Sequence, residues 1–221
     1  MVFIDNYYSL LPDFSNILLS CIPTVSYFIS VSFYKTFFHK EKRVPEKKYI
    51  ESSSKNMISS TPVNIFLSYP LFNYFSTVNT ITAHNLLLGI FLVDTLEYFF
   101  HYFLHQNTFF YNKIHNVHHK PYPVTPETSF ANHDGEILMT SPIILLTMVF
   151  MKLSFIEYII VTSLSFVATV SDHTVTSGRK FHYIHHHVNK HKNLQQPFFT
   201  YWDHLFGTYY QYTELKIPFK P

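Results

Sequence analysis

Long runs without charge alternate with short polar, histidine-rich stretches along this chain. Phe14 to Tyr34 contains no Asp, Glu, Lys or Arg. It is long enough to cross a bilayer as one helix, kinked at Pro23. His39 to Lys55, HKEKRVPEKKYIESSSK, reads as a solvated basic loop. Asn56 to Val93 is again uncharged and too long for one helix. Two spans joined by a tight turn near Val78 to Thr80 fit it, the first made less regular by Pro62 and Pro70. The second, from about Ile81 to Tyr102, runs straight into a histidine pair. Ile137 to Ser171 is apolar apart from Lys152 and Glu157. Each half is short for a hydrocarbon layer of ~30 Å. The stretch therefore reads as a hairpin entering the membrane part-way, with its tip at Lys152 to Glu157. The expected fold class is all-α: an integral membrane helical bundle of three spans plus the hairpin, with a histidine-rich helical cap. Residues 1–80 form the N-terminal spans and basic loop, and 81–221 the histidine-bearing domain.

Charge fixes an orientation. The first 34 residues carry no Lys or Arg, and all Lys and Arg except Lys152 fall on one side of the topology just described. The positive-inside rule puts that side, and every histidine group, in the cytosol. A net charge of +2 is too small to argue for nucleic acid as a partner. The 24 Phe and 17 Tyr against 4 Gly describe a greasy, aromatic chain. Its mean hydropathy is only +0.05, so the apolar residues are clumped. The N-terminus lacks the basic region of a cleaved signal peptide. The single cysteine, Cys21, allows no intrachain disulfide or cysteine-type zinc site and reads as a small buried apolar residue.

The 15 histidines change the picture from membrane protein to metalloprotein. His101 and His105 are four apart, and His115, His118 and His119 repeat at three and four. A second HxxHH follows the hairpin at His182, His185 and His186. On a helix these spacings share a face. Neutral imidazoles converging from three segments suit iron, zinc or copper. His133 and His173 flank the hairpin beside Asp134 and Asp172 and can reach the same place. His187 points away, and His39, His84, His191 and His204 read as surface or satisfied histidines. Asp94 and Glu97 share the stripe of His101 and His105, which makes them candidate acceptors for the second ring nitrogens. Thiolates would be oxidised beside a metal pair that activates dioxygen, and carboxylates would add charge near lipid; imidazole avoids both.

The order HxxxH, HxxHH, HxxHH resembles the fatty acid hydroxylase and sterol desaturase superfamily of membrane di-iron oxygenases. The resemblance runs from about Phe91 to Tyr210 through DTLEYFFHYFLH, FFYNKIHNVHH, FANHDGE, SDH and NLQQPFFTYWDHLFGTYY. The last segment is most similar to the sphingolipid (sphinganine) C4-hydroxylases. On this resemblance residues 81–221 are a fatty acid hydroxylase-type domain with three histidine boxes. It implies two Fe ions, with zinc possible in purified protein, held by His101, His105, His115, His118, His119, His133, His173, His182, His185 and His186. The eight box histidines form the catalytic set. The family reaction is O2-dependent hydroxylation of a long-chain lipid with electrons from NAD(P)H through a reductase and cytochrome b5. The implied location is the endoplasmic reticulum membrane. The chain departs from the family pattern at Asp134, where proline is usual, at Thr174 and Val175, where Gly-Tyr is usual, and in a short His173 to His182 link. Pro197 to Tyr210 reads as interfacial aromatic packing, with no catalytic role for Trp202 or Asp203. Competing readings are a sterol desaturase or methylsterol oxidase, and a non-catalytic zinc-binding membrane protein.

Overall fold

The computed structural model describes residues 14–38, 43–75, 81–174, 181–195 and 197–210. Among them the secondary structure is entirely helical. The elements are α1 (Phe14–Ser20), α2 (Ile22–Phe37), α3 (Lys47–Phe75), α4 (Ala83–Gln106), α5 (Thr108–Lys113), α6 (Asp134–Met151), α7 (Phe155–Asp172), α8 (Phe181–His187) and α9 (Tyr201–Leu205). Four segments are long and apolar enough to cross a membrane: Ile17–Phe37, Ala83–Gln106, Asp134–Met151 and Phe155–Asp172. Their outer faces carry Ile29, Phe33, Leu87, Leu138, Leu146 and Phe150, all exposed, as lipid-facing side chains are.

Three expectations change in detail. The first span is broken at Cys21 rather than bent at Pro23, which sits harmlessly in the first turn of α2. The basic stretch is helical from Lys47 onward, with Lys47 and Glu51 paired at 3.0 Å one turn apart. Charge marks a segment as solvated; it does not mark it as a loop. The hairpin halves are each 18 residues, ~27 Å as helix, and so reach further than expected. They exceed the apolar run because Asp134 to Glu136 and Asp172 continue the helices at the polar end. The turn expected at Val78 to Thr80 lies outside the described residues.

Local chemistry sets the helix ends. Thr82 caps α4 by accepting from the Asn85 N–H at 3.1 Å. Lys152, left-handed at φ 51°, ends α6. Ser154 and Glu157 then form a capping box that starts α7. Glu157 also accepts the Thr82 N–H at 2.8 Å, so one buried carboxylate ties the starts of α4 and α7 together. Beside it the core is Val93, Leu145, Met148, Leu153, Tyr158, Ile159 and Val161, shared by α4, α6 and α7. Gly89 packs against the same core, its Cβ position 3.4 Å from the Leu153 and Val161 side chains, ordinary van der Waals contact.

A second cluster, Tyr27, Met57 and Val170 with Phe130 and Phe166 against it, joins α2, α3 and α7. Above it α3 clamps the loop before α6. Ser53 takes the Phe130 N–H at 3.0 Å, and Asn56 donates to the carbonyls of Phe130 and Asn132 at 2.8 and 2.9 Å. The polar end of the bundle is thereby built: α4 finishes beside His105, α6 starts after His133, and α7 finishes before His173.

Candidate metal centre

The last two turns of α4 supply His101 and His105. His115 opens a 3₁₀ turn that His118 and His119 follow, His173 caps α7, and α8 carries His182, His185 and His186. Their ring nitrogens gather into two groups. His101, His105, His115, His119 and His185 form one; His118, His173, His182 and His186 form the other. Within each group the donor atoms lie within 4.8 Å of one another. The groups adjoin, with the rings of His119 and His186 4.4 Å apart.

Each HxxHH motif is divided between them. His115 and His119 serve the first group and His118 the second; His182 and His186 serve the second and His185 the first. Neighbours in a helical turn point about 100° apart, so an adjacent histidine pair faces two points at once. The expectation that His182, His185 and His186 face one site is corrected accordingly. His173 joins the second group as expected.

His133 is not brought to either group. It is exposed, and its Nδ1 accepts the Gly135 N–H at 3.0 Å as the N-cap of α6. His187 packs against Tyr183 and Tyr122, away from both groups. His84, His191 and His204 are exposed; His39 lies outside the described residues.

The geometry fits cations. Nε2–Nε2 distances are 3.1 Å for His101–His105, His101–His115 and His115–His119, 3.2 Å for His119–His185, 3.1 Å for His118–His186 and 3.0 Å for His182–His186. His118–His173 is 3.4 Å. Donors ~2.1 Å from one ion lie ~3.0 Å apart at right angles and ~3.4 Å apart at the tetrahedral angle. The opposite ring nitrogens show how several of these rings are held. His101 Nδ1 donates to the Leu194 carbonyl at 2.7 Å, His173 Nδ1 to Thr169 at 2.7 Å, and His185 Nδ1 to Lys192 at 2.9 Å. Those protons leave the Nε2 atoms of His101, His173 and His185 as bare acceptors, able to face a cation.

Most of these rings are at most 5% exposed. Burial, then the neighbouring imidazoles, holds His115, His118, His119, His182, His185 and His186 well below the usual imidazole range. Burial likewise lowers His173 to about 4. At neutral pH the clusters are uncharged lone-pair donors able to bind metal.

The supporting residues differ from those expected. Asp94 braces the C-terminal segment instead of an imidazole, accepting from the Gln195 side chain and from the Phe198 N–H at 2.7 Å. Glu97 lines a cavity beside the histidines. The carboxylate that does hold an imidazole is Glu136, 2.7 Å from His115 Nδ1. It was legible only as a carboxylate opening an otherwise apolar helix. Asp203 was also missed. Fully buried, it accepts the Leu194 and Gln195 N–H groups, both at 2.9 Å. It thus fixes the backbone whose Leu194 carbonyl orients His101. Asn193, left-handed at φ 54°, pins the same loop through two bonds to Tyr210. The expected aromatic packing is present: Trp202 stacks on Tyr98 and Phe206.

The sequence model of the fatty acid hydroxylase family matches residues 86–208. The chain is 30% identical over 179 residues to the sphingolipid C4-hydroxylase of Schizosaccharomyces pombe, covering 73% of this chain and 58% of that protein. It is 30% identical over 145 residues to sphinganine C4-monooxygenase 2 of Arabidopsis thaliana, covering 59% and 56%. It is 31% identical over 155 residues to a very-long-chain aldehyde decarbonylase of Oryza sativa, covering 60% and 57%. The chain spans somewhat more than half the length of these curated relatives. No solved structure matches.

Proposed function

The chain belongs to the fatty acid hydroxylase family, and on that footing we propose that it is a membrane oxygenase hydroxylating C4 of a sphingoid base. The observation that carries this reading is the pair of imidazole groups with facing Nε2 atoms at metal-ligand spacing. Two iron ions are the proposed occupants, one held by His101, His105, His115, His119 and His185, the other by His118, His173, His182 and His186. When bound, they supply dioxygen activation and the oxidising power for cleaving an unactivated C–H bond.

The protein's own part is positioning and exclusion of water. Glu136 and the carbonyls of Leu194, Thr169 and Lys192 hold ring protons so that the opposite nitrogens face inward. A cavity of about 120 Å³ leads from His101, His115, His118 and His173 down between α3, α4, α6 and α7. Phe100, Leu104, Ile144 and Phe166 line it and suit an alkyl chain. Hydroxylation consumes one dioxygen, two electrons and two protons and yields alcohol and water. The electrons are proposed to come from NAD(P)H through a reductase and cytochrome b5. Lys35, Arg43, Lys55, Lys113, Lys190 and Lys192 belong to the histidine end of the bundle and Lys152 to the opposite end, which supports a metal centre on the cytosolic side; the proposed membrane is that of the endoplasmic reticulum.

Expression in a host lacking sphingoid C4-hydroxylase, followed by lipid mass spectrometry, tests the reading. The expected result is new 4-hydroxysphinganine, abolished by His118→Ala. Altered sterols, or a product of very-long-chain aldehyde, without any 4-hydroxysphinganine would replace this substrate with another. Unchanged lipids and bound zinc would favour a non-catalytic role.

A further inference from the structure

Two carboxylates, Glu97 and Glu136, line the cavity beside the histidines. Glu97 enters from α4, one turn before His101 on the same helix face. Glu136 enters from α6 and is only 4% exposed. One of its oxygens is occupied by His115; the other, Oε2, is buried without a hydrogen-bond partner. A buried carboxylate oxygen without a partner is relieved by a donor, most of all by a cationic one. Nearby, Ser60, Ser129, Thr140 and Ser141 add hydroxyls to the same wall. The cavity thus combines two carboxylates and several hydroxyls with aliphatic and aromatic side chains.

We propose that Glu97, assisted by Glu136, forms the subsite for the primary amine of a long-chain amino alcohol, and so selects free sphingoid bases over their N-acylated forms. The inference rests on the sphingoid reading above and deepens it. In sphinganine the amine is on C2, only two carbon–carbon bonds from C4. A site that oxidises C4 must therefore recognise the amine right beside the metals, and the carboxylates are found there. An ammonium offers three donors and a full positive charge. An N-acyl amide offers one donor and no charge, and its second chain must also be accommodated. Glu97, unlike Glu136, is not committed to an imidazole, so it is the group able to turn toward a ligand.

The test is equilibrium binding of sphinganine and N-acetylsphinganine to the purified full chain in detergent, which does not depend on turnover. Wild type should prefer the free amine by about tenfold or more, the scale of a desolvated charge pair. Glu97→Gln should erase that preference with metal content unchanged, and Glu97→Asp should keep part of it. Equal affinity of wild type for both lipids, or an undiminished preference in Glu97→Gln, would overturn the subsite. Loss of metal in Glu97→Gln would overturn it too, by making Glu97 a support of the histidines. Tight, Glu97-dependent binding of sphinganine without any 4-hydroxy product would instead sink the hydroxylase reading and leave the subsite standing.

Discussion

Adjacent histidines do different jobs in this chain. His118 faces the second group and His119 the first, so each single replacement removes a donor from one identifiable group. His133, by contrast, caps a helix. His133→Ala should keep most of the activity at a stability cost of about 1 kcal/mol or less, the range of a lost N-cap. Thermal unfolding and product yield check this; loss of metal from that variant would make His133 a ligand after all. Glu136→Gln and Asp203→Asn act on ligand orientation. Each should weaken metal retention about 10–100-fold, as loss of an outer hydrogen-bond partner does, which a chelator competition measures. The histidine spacings were legible from sequence because helical periodicity fixes which side chains share a face. Glu136 and Asp203 were not. Glu136 meets His115 across a loop, and Asp203 binds the Leu194 and Gln195 backbone and the Thr208 hydroxyl but no imidazole, so neither leaves a spacing to read.

Buried imidazoles also give pH dependence. In the metal-free fold His173 is lowered to about 4, against 6.5 for an unperturbed ring. His115, His118, His119, His182, His185 and His186 are held well below it too. Below about pH 6.5 the unfolded chain therefore binds protons that the folded chain refuses, so stability falls as pH drops from there toward 4. The same protons compete with metal for Nε2. Denaturation of chelator-treated protein at pH 7.5 and 5 should show a lower midpoint at pH 5; an equal or higher midpoint would mean the rings are not buried neutral.

At the scale of elements, the apolar runs predicted the helices better than they predicted the ends. The α6–α7 hairpin was underestimated because capping and first-turn carboxylates lengthen helices past the apolar run. The start of α3 was missed because solvated charges pair along a helix as readily as in a loop. Glu157 is the residue on which this level depends. Its carboxylate accepts from Thr82 and Ser154 backbones and from the Asn85 side chain, joining two helix starts at the end opposite the histidine groups. Glu157→Ala leaves buried N–H groups unpaired and should cost about 1–3 kcal/mol for each. Detergent unfolding should show this loss, with metal content per folded chain unchanged; a wild-type midpoint would show that water replaces the carboxylate.

For the whole molecule, the decisive feature is that α4, α6 and α7 all present their histidines at one end, opposite the Lys152 turn. Charge distribution already implied this arrangement, since every cation but Lys152 tracks with the histidines. The division into two imidazole groups was not legible: it depends on how α8 docks against the turn holding His118 and His119, which no local pattern encodes. An N-glycosylation acceptor inserted between Lys152 and Ser154 should be modified in microsomes. One inserted beside Lys190 should not, and the reverse pattern would invert the proposed orientation.

Metal stoichiometry tests the central claim most directly. Iron-reconstituted, desalted wild-type protein should hold about two ions per chain, and His105→Ala and His182→Ala should each lower retention at one site while sparing the other, as separate ligand sets require. At most one ion per wild-type chain, or simultaneous loss of both ions from either variant with the fold intact, would contradict two independent imidazole cages.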